Sequence, residues 1–167
     1  NGCIPDIVAR HDYHYDGTFI ESDDAELRLY YASKGMAPIP FEQSDVGARF
    51  KGGPIQFNPG HYVTLFASIE RVKVLRTCKC CWDQDCFSNN LNGLVTKDTR
   101  KKRSLWWTYK AYADITGDIL AVMKGSSADA VAGWDEDDEK LRILVGLNDS
   151  TSTPVRVEVR NIDTRAE

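Results

Sequence analysis

The sequence lacks any apolar run of about 18 residues, the length an apolar helix needs to cross a bilayer, so no membrane-spanning helix is expected. It lacks a basic N-terminal segment followed by an apolar stretch, the mark of a signal peptide. The first residue is Asn rather than Met, as in a processed chain or a piece of a longer one, so the missing leader says nothing about secretion. Basic residues are not in excess: 21 Lys and Arg face 25 Asp and Glu, a net charge of −4. That balance argues against a nucleic-acid partner, whose phosphate backbone favours a basic surface. Long low-complexity segments and internal repeats beyond a βα period are also missing. The five cysteines, Cys3, Cys78, Cys80, Cys81 and Cys86, are odd in number, which leaves at least one thiol unpaired within the chain.

The 167 residues fit one ordinary domain or two small ones, and a 42% hydrophobic content is enough for a packed core. Ile4 to Ala9 reads as a buried strand ending in the ionisable cluster Arg10-His11-Asp12-Tyr13-His14. Ser22, followed by Asp23, Asp24 and Glu26, reads as a helix start with acids in its first turn. Ala25, Leu27, Leu29, Tyr30 and Ala32 supply its apolar faces, and Gly35 its end. Met36 to Glu42 is a short apolar stretch closed by a carboxylate. Its two prolines place it at a sheet margin or near a strand start. Asn58-Pro59 is an N-cap and N1 pair. The helix after it carries Tyr62, Val63, Leu65, Phe66 and Ile69 inward. Val72 to Trp82 reads as a third strand, and Ser104 caps a third helix that Gly117 terminates.

Beyond Gly117 the pattern changes to short apolar or alternating runs at Ile119–Met123, Ala130–Trp134, Leu141–Leu147 and Val155–Val159, separated by Ser, Gly and Asp. These read as antiparallel strands. Strands alternating with helices before them imply parallel βαβ units. Three such units cannot close a barrel, which needs eight strands.

The segment Ser104 to Gly117 (SLWWTYKAYADITG) resembles the last barrel helix of clan A glycoside hydrolases, family 39-like members especially. Asn92-Gly93-Leu94-Val95 resembles the loop after strand eight. Pro5-Asp6-Ile7-Val8 with His11 is similar to strand six and its C-terminal end, and Phe41-Glu42-Gln43 to the strand-seven site. The resemblance implies an α/β fold: the C-terminal βα units of a (β/α)8 TIM barrel (residues 1–117), then a small β-sandwich-like antiparallel domain (118–167). The missing N-terminal half of that barrel would be a partner from the same chain. It also implies a retaining O-glycoside hydrolase that needs no cofactor and acts on a polysaccharide or glycoside. Its acid/base glutamate, which this clan places after strand four, would lie upstream.

Retaining hydrolysis needs two carboxyls roughly 5–5.5 Å apart, one as nucleophile and one as acid/base. Glu42 is the expected nucleophile, because barrel active sites sit at the C-terminal ends of the strands. His11, and after it His14, would bond sugar hydroxyls or orient Glu42. Trp82 would be a stacking platform for a sugar face. Trp106 and Trp107, on a helix, are expected to pack in the core or against the second domain. Phe41 and Gln43 stand where family members often carry Asn and Tyr around the nucleophile. This motivates a second expectation, a non-catalytic carbohydrate-binding protein of the same fold.

The crowded Cys78, Cys80, Cys81 and Cys86 lack the two separated ligand pairs of structural zinc. A disulfide from Cys86 to Cys80 or Cys81, or buried thiols, are the alternatives. Asp135-Glu-Asp-Asp-Glu139 reads as a solvated hairpin loop. Asn148-Asp149-Ser150 is a glycosylation sequon, compatible with an extracellular protein.

Overall fold

The computed structural model describes residues 4–12, 17–47, 58–79, 91, 93–147 and 154–161. Three βα units come first: β1 (Val8–Asp12), α1 (Thr18–Ser33), β2 (Phe41–Val46), α2 (Pro59–Val72), β3 (Thr77–Lys79) and α3 (Ser104–Ala113). The strands form one parallel sheet in the order β1-β2-β3. A separate antiparallel sheet follows, ordered β4 (Asp118–Ile119), β5 (Ala128–Asp135) and β6 (Lys140–Leu147).

Strand boundaries follow pairing rather than hydrophobicity. Pro38 and Pro40 have no N–H to give a ladder, so β2 starts only at Phe41. β1 can pair only from that level upward, and its first bond is Val8 N–H to the Pro40 carbonyl at 3.0 Å. The expected strand Ile4–Ala9 is therefore displaced to Val8–Asp12, and Ile4 and Ile7 are exposed. The expected strand Val72–Trp82 shortens to Thr77–Lys79 among the described residues, because α2 runs to Val72 before Lys73 turns left-handed.

Helix α2 is the centre of the molecule. Asn58 caps it as expected, its Oδ1 accepting Gly60 N–H at 2.9 Å. Every residue from Tyr62 to Ile69 is buried, because α2 has neighbours on several sides. Phe66 stacks on Tyr112 of α3 at 4.2 Å between centroids and meets Tyr109 edge-on at 5.0 Å. On another side, Gly60 and Gly146 let the backbones of α2 and β6 touch. A Cβ on Gly60 would overlap the Leu147 carbonyl, and one on Gly146 would lie 2.5 Å from Val63 Cβ.

Helix α1 begins at Thr18, not at Ser22, and lays Ile20 and Tyr31 inward. Leu29 and Tyr30, expected on an apolar face, point outward. Helix α3 ends at Ala113. Trp106 packs partly against the core, while Trp107 is 56% exposed. The Lys102 ammonium lies over both indoles, 5.0 and 5.1 Å from the ring centroids. The principal contact with the second sheet is made by α2 rather than by either tryptophan. The acidic run 135–139 does form the β5–β6 turn. The expected strand Val155–Val159 is an exposed segment with no strand pairing among the described residues.

Candidate functional site

Helices cover one face of the parallel sheet. Phe41 and Val46 point to that side, and Gln43 is buried with them. Gln43 is fully enclosed, and its amide oxygen and nitrogen find no partner among the described residues. Arg10, its register partner on β1, lies on the same side and pairs with Asp23 of α1 at 2.6 Å.

The opposite face carries no helix among the described residues. Ala9 and His11 of β1 are exposed on it. In a parallel ladder, paired residues share a face, so Glu42, opposite Ala9, belongs to it as well. The register then shifts. Arg10 pairs with Gln43 and His11 with Asp45, leaving Ser44 as an extra residue. This is a β-bulge. It turns two successive residues, Ser44 and Asp45, away from the helices and returns Val46 to the core. Ser44 Oγ donates to the Arg10 carbonyl at 3.2 Å and fixes the bulge. Cys78 lies between Thr77, level with Gln43, and Lys79, level with Val46, and so falls opposite the bulge. It is an exposed free thiol.

The expected site residues distribute unevenly on this frame. His11 stands at the C-terminal end of β1, as expected. Glu42 does not stand at the C-terminal end of β2. It is the second residue, because the strand starts late, after Pro40, and continues to Val46. Its carboxylate forms an ion pair with the Arg76 guanidinium just before β3. That bond holds the Arg76 pKa above its ordinary value. Glu42 and His11 thus share a face but not a level. His14 and Trp82 lie outside the described residues, as do Cys80, Cys81, Cys86 and the sequon. Asp45 was not singled out by sequence reasoning, although a signal for it exists. Phe41 and Val46 are five positions apart, an odd spacing that a regular strand cannot turn to one face.

A second polar cluster has a structural role. Arg71 of α2 bonds Glu21 of α1 at 2.7 Å and Asp129 of β5 at 2.5 Å. Ser68 and Lys124 also donate to Glu21, each at 2.8 Å. The described residues contain no group of three or more His, Cys, Asp or Glu arranged to hold a metal ion.

No protein-family model matches the chain, and no curated protein matches it. Solved structures do. N2152 from Neocallimastix frontalis superposes with a TM-score of 0.70 at 24% identity, over 86% of this chain and 36% of that one. A GH39 β-xylosidase from Caulobacter crescentus superposes with a TM-score of 0.54 at 16% identity, over 79% of this chain and 31% of that one. The chain therefore spans about a third of the length of the solved proteins it matches. At these identities the likeness is one of fold: a mixed α/β arrangement distantly related to a glycoside hydrolase.

Proposed function

We propose that the chain forms the last three βα units of a glycoside-hydrolase-type (β/α)8 barrel together with its appended β-sheet. In this reading the complete protein is a retaining O-glycoside hydrolase acting on a polysaccharide or glycoside. One observation carries the proposal. Three parallel strands stand in chain order with helices on one face, while the other face and the outer edges of β1 and β3 carry no strand among the described residues. A barrel continues such a sheet at both edges and turns its open face into the lumen.

The chemistry then needs a carboxylate on β2 to attack the anomeric carbon. The acid/base glutamate, on a strand outside this chain, protonates the departing oxygen and later deprotonates the water that releases the sugar. The family resemblance points to Glu42 as the nucleophile, with His11, His14 and Trp82 shaping the sugar subsite. No cofactor enters these steps, and an extracellular setting suits a polymeric substrate.

The second reading, a non-catalytic carbohydrate binder, is favoured by the Arg76–Glu42 ion pair, which occupies the expected nucleophile. Proton NMR of the complete protein with aryl glycosides and oligosaccharides separates the two. Release of sugar with retained anomeric configuration supports the enzyme. Sugar binding without release supports the binder. Neither binding nor release would sink both.

A further inference from the structure

We infer that Asp45, rather than Glu42, is the β2 carboxylate that contacts the sugar, with His11 beside it on the neighbouring strand. The inference rests on the reading that the open sheet face meets a carbohydrate.

Two features of the strand support it. The first is height. Sites in parallel α/β folds form beyond the C-terminal ends of the strands. Asp45 is the penultimate residue of β2, whereas Glu42 is the second. Asp45 is level with His11, and Glu42 with Ala9, two residue rises lower or roughly 7 Å.

The second is facing. Unbroken alternation from Phe41 would turn Asp45 toward the helices, into the apolar core. The bulge at Ser44 reverses that and brings Asp45 onto the face shared with His11. Bulges that re-aim a side chain concentrate at barrel rims and beside active sites. The Oγ of Ser44, bonded to the Arg10 carbonyl, holds this one in place.

A carboxylate at the upper level, beside an imidazole on the next strand, can accept hydrogen bonds from neighbouring hydroxyls of one sugar ring. Strands stand about 4.8 Å apart, a spacing that vicinal hydroxyls can bridge.

The test compares Asp45→Asn with Glu42→Gln in the complete protein that carries this chain. Both changes keep volume and remove charge. The readouts are oligosaccharide affinity by calorimetry, turnover of aryl glycosides, and thermal unfolding as a control for folding. Asp45→Asn should weaken affinity or turnover about ten-fold or more, the effect of losing hydrogen bonds to a charged acceptor, while the protein still unfolds in one cooperative transition. Glu42→Gln should change sugar affinity less than about three-fold. His11→Ala should weaken binding in the same direction as Asp45→Asn.

Loss of affinity in Asp45→Asn without any turnover in the parent would keep the inference and remove the hydrolase reading. Normal affinity and turnover in Asp45→Asn, with loss in Glu42→Gln, would overturn the inference and leave the hydrolase reading standing. Should Asp45→Asn misfold, Ser44→Gly, which removes the hydroxyl that holds the bulge, gives an independent arm. Unchanged binding in that variant would overturn the inference too.

Discussion

Arg71 reaches from the last turn of α2 toward carboxylates on two other elements. Its Nε and one terminal nitrogen bond Glu21, and both terminal nitrogens bond Asp129. Asp129 is 3% exposed, so it needs this partner. The Asp129 hydrogen bond raises the Arg71 pKa; burial opposes the rise, and Glu21 adds to it. Burial pushes the Glu21 carboxyl up, but hydrogen bonds from Lys124, Ser68 and Arg71 outweigh it and hold the pKa below its ordinary value. Replacing Arg71 with Met should destabilise the chain by about 3 kcal/mol, since it leaves a buried carboxylate unpaired. Denaturant unfolding reads that loss, and adding Asp129→Leu should recover part of it. The network also sets a pH dependence. A carboxyl whose pKa is lowered by folding contributes stability above its unfolded pKa, about 4.3, and loses it as pH falls through the folded value. Glu21→Gln should therefore flatten the fall in unfolding temperature below about pH 4. An equally steep fall in both proteins would remove Glu21 from the acid response.

Element boundaries were legible where the signal is local, and illegible where pairing decides. Asn58 and Pro59 announced α2 because a cap bond and a missing N–H act within one turn. Gly35, at φ +65°, ended α1 for the same kind of reason. Ile4 and Ile7 looked like strand because they are apolar, yet β1 starts only where β2 offers a partner. The same rule moved Glu42 from the end of its strand to the start. The bulge at Ser44 was visible only as an odd spacing between Phe41 and Val46. Val155, Val157 and Val159 alternate as a strand should but have no ladder among the described residues. Nothing in their sequence says whether an edge is available. The meeting of α2 and β6 was equally hidden, because it depends on two glycines 86 positions apart, Gly60 and Gly146. Gly146→Ala should cost about 1–3 kcal/mol through overpacking, its new methyl pressing on Val63 and on the Gly60 carbonyl. Val63→Ala in the same chain should not relieve the loss, because alanine keeps the Cβ that the new methyl meets, and a double-mutant cycle by denaturant unfolding should show no favourable coupling.

At the scale of the molecule, the alternation of strands and helices announced the parallel sheet, and the runs after Gly117 announced the antiparallel one. What composition could not convey is how the two sheets depend on each other. Boundaries read from sequence at 117 and 118 suggest a barrel part with a separable β-domain. The packing argues for interdependence. Helix α2 is buried from Tyr62 to Ile69 because the parallel sheet, α1, α3, β5 and β6 each cover part of it. Val131 of β5 belongs to the same apolar cluster as Phe41 and Leu65. Ending the chain at Gly117 would expose Val63 and the surface around Leu65, and would strip Arg71 of Asp129 while leaving Glu21 without Lys124. Fresh apolar surface on the central helix, with the loss of its buried ion pair, removes cooperative packing first and secondary structure later. The truncated chain 1–117 should keep much of its helical far-UV signal, bind a hydrophobic dye and lose a sharp thermal transition. The same chain carrying Val63→Ser should bind less dye, because the uncovered face is then more polar, without regaining cooperativity. A sharp transition in the truncated chain, at the temperature of the intact one, would instead make residues 118–167 a separable module and α2 indifferent to them.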